Sequence, residues 1–196
     1  MTNGHSPNGA TGTRQAILDI ARREISERGL AGVSIRSVAR RAGVDPRLVR
    51  HYYGSKEQLL RHAVQVEGDP VDLARELLNG SRRRLGRATA AVLLSHWDDP
   101  RTMIPYRARL SASLTSEEIA ALMRDEFVQA FFGTLARGAS PDRPDLRAAL
   151  AASQVIGLAL CRYLIEGTEL ADRTRDELAL SMGRVIQHYL TADLAD

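Results

Sequence analysis

VSIRSVARRAGVDPRLVRHYY, residues 33–53 of a 196-residue chain, is punctuated as two short helices with a tight turn between them. Ser34 stands at an N-cap position, its hydroxyl able to accept from backbone N–H groups that the first turn leaves without partners. Ile35, Val38 and Ala39 then follow at helical spacing. Gly43 supplies the left-handed conformation that ends a helix at low cost, and Val44 is apolar, as a residue tucked between two helices should be. Asp45 is a second N-cap and Pro46 a first-turn proline, whose missing N–H is no loss there. In the helix that Pro46 opens, Val49, Tyr52 and Tyr53 share an inner side, which leaves Arg47, Arg50 and His51 pointing outward. The spacing predicts a helix-turn-helix with a basic outer face.

The flanks extend the pattern. Upstream, Ile17, Ile20, Ala21, Ile25 and Leu30 form an amphipathic run ending at Gly29; downstream, Ser55 and Gln58 are spaced as a capping box. With TRQAILDIARREISERG, VSIRSVARRAGV and YYGSKEQLL in this order, Thr13 to Ala63 resembles the N-terminal domain of TetR-type (tetracycline-repressor-like) transcriptional regulators. The stretch around Trp97-Asp98-Asp99-Pro100 and the helix order of the remainder are also similar to that family. The resemblance implies double-stranded DNA as partner, with Ser34 and Arg36 touching phosphate and base. It puts Pro46, Arg47 and Leu48 at base-reading positions, and Arg50, His51, Tyr52 and Lys56 at phosphates. Arg50 and His51 depart from the aromatic residues usual at their positions.

Charge distribution agrees with a DNA-binding head. Residues 12–65 hold 11 Lys or Arg against 5 Asp or Glu, whereas residues 66–196 hold 16 against 19, within a net charge of +3. Phosphate neutralisation dominates affinity for nucleic acid, so such an asymmetry suits a binding head on a non-binding body. One cysteine, Cys161, excludes an internal disulfide framework. No apolar run approaches the roughly 20 residues needed to span a bilayer, and the first twelve residues carry no signal-peptide pattern. A cytoplasmic protein is expected, with no membrane partner.

The fold class predicted is all-α: an N-terminal three-helix helix-turn-helix domain plus a C-terminal helical bundle, about ten helices in all. Residues 1–12, rich in Gly, Asn, Ser and Thr, are expected as a disordered tail, 13–63 as the DNA-binding domain, and 64–196 as the ligand-binding and dimerisation domain. Helices are expected from Ser55 to about Glu67, from Pro70 to Asn79, from Leu85 to Trp97 and from Arg101 to Ala112. Further ones should run from a Thr115/Glu118 capping box to Gly138, from Asp145 to Glu166, and from a Thr174/Glu177 capping box to Thr191. The Ser55 helix, Lys56 at its DNA end, would serve as a lever.

No catalytic frame appears. Gly-x-Ser-x-Gly, His-Glu-x-x-His, Gly-x-Gly-x-x-Gly and Walker-type motifs are absent, the histidines lack metal-ligand spacing, and Lys56 is the one lysine. No enzyme, metal or cofactor is expected. Trp97, Met103, Tyr106, Met123, Phe127, Phe131 and Tyr163 come from four helical segments and suit either a core or an apolar pocket between helices. The family resemblance implies a pocket for a small inducer there. Ala149, Ser153 and Gly157 recur every four residues, with Cys161 continuing the ridge, and Gly157 costs about 1 kcal/mol relative to alanine in a helix. Such a ridge lets helices approach closely, within one subunit or across a two-fold axis; regulators of this type are homodimers on palindromic operators. The reading is a ligand-responsive DNA-binding regulator, a repressor released by a small apolar inducer. The alternative is an all-helical small-molecule-binding protein or enzyme that uses its head for a protein contact.

Overall fold

The structure, a computed structural model, describes residues 7–66, 68–165 and 169–194, and every regular element among them is helical. In chain order these are α1 (Pro7–Arg28), α2 (Ile35–Ala42), α3 (Pro46–Tyr53), α4 (Lys56–Ala63), α5 (Pro70–Leu78), α6 (Leu85–Asp98), α7 (Pro100–Ser113) and α8 (Glu117–Met123). Then come α9 (Gly133–Ala139), α10 (Pro144–Ala159), α11 (Glu169–Asp172) and α12 (Arg175–Thr191). A 3-10 turn at Arg82–Arg84 leads into α6, and π-helical segments at Arg124–Phe132 and Leu160–Leu164 follow α8 and α10. The all-α class read from the sequence is the observed one. Of the tail expected over residues 1–12, the first six residues lie outside the described ones, and α1 is helical from Pro7.

The described residues form two compact units, within Met1–Val66 plus Arg101–Ala120 and within Glu67–Pro100 plus Ala121–Asp196. In the first, Ile17, Ala21 and Ile25 of α1 meet Val38, Ala39, Val49, Tyr53, Leu59 and Ala63 in one fully apolar cluster. Ala108 and Ala112 of α7, with Ile119 of α8, belong to the same cluster, although the sequence reading put them in the C-terminal bundle. Their small side chains give no periodic signal of which neighbour they face.

Helix α4 is shorter than expected. It ends at Ala63, and the expected end at Glu67 lies outside the described residues. The carbonyl of Ala63, which a longer helix would satisfy with its own backbone, instead accepts from Nε of buried Arg22 at 3.1 Å. A rigid lever reaching past Val64 is therefore not what the chain builds.

In the second unit α6 and α12 cross backbone to backbone. A Cβ on Gly86 would overlap the carbonyl oxygen of Gly183, and one on Gly183 would lie 2.6 Å from Cα of Arg87. The end of α12 is gathered by Arg147 of α10, which is 0% exposed and donates through Nη1 to the carbonyls of Tyr189 and Ala192, both at 2.8 Å. Its Nε reaches Asp142 Oδ1 at 2.8 Å. Two expected helices are interrupted. That from Thr115 starts one residue later, with Ser116 Oγ accepting from the Ile119 amide at 3.4 Å, and becomes π-helical at Arg124. That from Asp145 becomes π-helical at Leu160, and its expected end at Glu166 and Gly167 lies outside the described residues.

Candidate nucleic-acid interface

The two helices read from residues 33–53 are built by the caps that the sequence supplies. Ser34 is extended (φ −138°, ψ 153°), and its Oγ accepts from the Ser37 amide at 3.0 Å, while Ser37 Oγ accepts from the Ser34 amide at 3.1 Å. Gly43 is left-handed (φ 66°), and the Val44 amide closes the turn on the Ala39 carbonyl at 3.0 Å. Asp45 Oδ1 accepts from the Arg47 amide at 2.7 Å, ahead of Pro46 at the first position of α3. The Ser55/Gln58 capping box then starts α4. Each cap fixes where a helix begins, and so which side chains fall outside.

Val49 and Tyr53 are buried against α1 and α4, with Tyr53 anchored by its hydroxyl donating to the Arg14 carbonyl at 2.7 Å. The Arg14 guanidinium covers the Tyr53 ring at 5.6 Å, so Arg14 is engaged in holding α3. Burial holds the Tyr53 hydroxyl above the usual phenol range. With that side fixed inside, Arg47, Arg50 and His51 of α3 and Ser34 and Arg36 of α2 are exposed. Pro46, Leu48, Tyr52 and Lys56 are half-buried along the same succession of elements. Among the described residues Arg36, Arg47 and Arg50 make no ion pair, and an uncompensated guanidinium in solvent is what a phosphate or a guanine edge needs.

Arg41 of α2 is a contrast. Its guanidinium forms a forked pair with Glu27 of α1, at 2.7 and 3.2 Å, and lies 3.8 Å from buried Glu24. That hydrogen bond holds the Glu27 carboxyl below the usual range and raises the Arg41 guanidinium. Neither Glu24 nor Arg41 was singled out in the sequence. The available signal was that Glu24 falls on the apolar stripe of α1, between Ala21 and Ile25.

The residues read as a pocket are buried, except for half-buried Tyr163, and they are divided. Trp97, Met123, Phe127, Phe131 and Tyr163 belong to the second unit, whereas Met103 and Tyr106 sit on α7 in the first. Trp97 meets Tyr163 edge-on at 5.9 Å, and the Tyr163 hydroxyl donates to Asp98 Oδ1 at 3.1 Å. Burial, with the Asp98 charge beside it, pushes the Tyr163 phenol up to about 12. Phe127 stacks on Phe131 at 6.1 Å and meets Phe132 edge-on at 5.3 Å. Phe132, fully buried, was missed because a π-helical register, bonding five residues on, brings positions 127 and 132 to one face. On α10, Ala149 and Ser153 are exposed and Gly157 is partly so; a Cβ there would meet no atom within 4 Å. Packing within the subunit does not account for the ridge. Tight intrasubunit packing falls instead on Gly86 and Gly183.

Comparison with known proteins follows this division. Residues 17–63 match the family model of bacterial regulatory proteins, tetR family, and residues 84–190 match that of the tetracyclin repressor-like C-terminal domain. An HTH-type transcriptional regulator BetI from Rhizobium meliloti is 34% identical over 114 residues, covering 56% of this chain and 56% of that protein. The BetI of Agrobacterium fabrum is 31% identical over 116 residues, 56% of this chain and 55% of its own. The chain thus spans about half the length of these curated relatives. A TetR-family regulator from Streptomyces coelicolor A3 is similar over 96% of this chain and 99% of its own, with 31% identity and a TM-score of 0.57. A transcriptional regulator from Rhodococcus sp. Rha1 shares the fold at 23% identity and a TM-score of 0.63, over 93% of this chain and 99% of its own.

Proposed function

The chain belongs to the tetR family of bacterial regulatory proteins, and we propose that it is a homodimeric repressor released from its operator by a small apolar inducer. It is a transcriptional regulator with a DNA-binding helix-turn-helix, not an enzyme. The observation that carries the proposal is the exposed set Arg36, Arg47 and Arg50 on two capped helices, without an ion pair among the described residues. In this reading Pro46, Arg47 and Leu48 meet base edges, with Ser34 and Arg36 beside them. Arg50, His51, Tyr52 and Lys56 hold the phosphates. The protein works in the cytoplasm, where the DNA is. No helix among the described residues is long and apolar enough to cross a membrane.

Two heads on palindromic half-sites about 34 to 36 Å apart need a two-fold body. The open ridge Ala149, Ser153 and Gly157 supports such an interface, with Leu146 on the same helix 47% exposed and Leu180 on α12 44%. The buried aromatic groups around Trp97 and Phe127 of the second unit support an apolar ligand there. Release requires a ligand that prefers one arrangement of the heads, and a coupling of about 1 to 3 kcal/mol is enough. A gel shift on the duplex upstream of the protein's own gene, with and without small lipophilic compounds, tests the whole reading. Retarded DNA released by one such compound is the expected result; equal retardation of a random duplex would overturn it. Gly157→Leu or Ser153→Leu should give a monomer in sedimentation and weaken binding, and Phe127→Trp should abolish release while leaving binding intact.

A further inference from the structure

Helix α2 is only 8 residues long: Val38 and Ala39 are its fully buried apolar residues, with Ile35 and Ala42 partly buried on the same core, so the apolar contact that sets its rotation is small. Two polar links from α1 supply direction. Ser37 Oγ donates to Glu24 Oε2 at 2.6 Å, and Arg41, four residues on along the same face, forks onto Glu27 and approaches Glu24. The Glu24 side chain is 0% exposed. Ser37 is also the far half of the α2 capping box: its Oγ accepts from the Ser34 amide at 3.1 Å, and its single hydroxyl proton is shared between the Glu24 carboxylate at 2.6 Å and the Ser34 carbonyl at 2.9 Å.

We propose that Glu24 is a positioning residue for DNA recognition: through Ser37 and Arg41 it fixes the rotation of α2 and so aims Ser34 and Arg36 at the duplex. The inference rests on the DNA reading of those two residues. A rotation of α2 by about 20° would swing a side-chain tip, roughly 5 Å from the axis, by about 2 Å. That exceeds what a hydrogen bond to a phosphate tolerates. A purely structural role would be served as well by apolar packing, since a buried carboxylate is costly and exchanging a whole buried polar set for apolar residues of similar size is often neutral or stabilising. It also follows that Arg41 is neutralised within the head and is no phosphate ligand.

The test measures thermal stability and binding together, on the duplex upstream of the protein's own gene and on a random duplex of equal length. Glu24→Leu leaves Ser37 on the Ser34 carbonyl and Arg41 on Glu27, so it is expected to stay folded yet bind the upstream duplex about tenfold more weakly, the scale of one lost charge-assisted contact. Glu24→Gln, which keeps an acceptor for Ser37, should recover most of the affinity. In combination with Arg36→Ala the Glu24→Leu effect should vanish, because the group it aims is gone. Should Glu24→Leu fail to fold, Ser37→Ala is read instead with the same expectation. A folded Glu24→Leu, or a folded Ser37→Ala, that binds like wild type overturns the proposal, as does full additivity with Arg36→Ala. Wild-type protein that binds neither duplex overturns the DNA reading itself, and the proposal with it.

Discussion

Arginine does opposite work on the outer face of α2 and α3 and inside the second unit. On α2 and α3, Arg36, Arg47 and Arg50 stand in solvent with no ion pair among the described residues. In the second unit Arg147 holds the last carbonyls of α12, Arg82 donates to the Ala139 carbonyl at 2.6 Å, and Arg162 bonds the carbonyls of Leu170 and Arg173, both at 2.8 Å. The same side chain is left open to solvent in one place and is a structural tie in the other. Five fixed donors suit both uses, and burial with carbonyl partners decides between them. Charge counts read from sequence do not separate the two kinds.

The comparison breaks first at Arg147. Replacing it with Met removes its bonds to Tyr189, Ala192 and Asp142 and leaves the α12 carbonyls unsatisfied, so a loss of about 3 kcal/mol or more is expected in urea unfolding. Arg47→Met, on the exposed face, should change the same measurement by no more than about 0.5 kcal/mol. Equal losses would erase the distinction between tie and ligand.

A second contrast sharpens it through glycine. Gly183→Ala forces a methyl against the Arg87 backbone and should destabilise the chain by about 1 to 3 kcal/mol. Gly157→Ala meets open space, so with dimerisation held constant it should stabilise α10 by up to about 1 kcal/mol. Denaturation of both variants at matched concentration reads the pair. A smaller effect is expected at Tyr163. Its phenol sits at about 12 in the folded chain against 10.0 for the free group. The folded state therefore keeps its proton where the unfolded chain has lost it. Stability from this source is whole below about pH 10 and falls as pH rises through 12, and Tyr163→Phe should flatten that fall.

Which features were legible follows from how far apart the causative residues lie. Ser34, Gly43, Asp45, Pro46 and Ser55 act on their own neighbours within four residues, and each helix boundary they imply is present in the structure. The outward face of α3 followed from those boundaries alone. By contrast, α4 ends where Arg22, 41 residues earlier, takes the Ala63 carbonyl, and nothing near residue 63 announces it. Gly86 and Gly183 matter only because α6 and α12 cross there, and each looks like an ordinary helical glycine in isolation. The π-helical register at Arg124–Phe132 likewise replaced an i, i+4 reading that found Phe127 and Phe131 but passed over Phe132.

In the proposed reading Arg47 meets base edges, with Arg36 beside it, while Arg50 and Lys56 hold phosphates and Arg41 is neutralised within the head. Titrating wild type, Arg47→Ala and Lys56→Ala onto the duplex upstream of the gene and onto a random duplex, across a range of salt, tests it most directly. Arg47→Ala should lose about 1 to 3 kcal/mol on the upstream duplex alone, whereas Lys56→Ala should weaken both duplexes equally and lower the salt slope by about one. Equal losses on both duplexes for Arg47→Ala would contradict the claim.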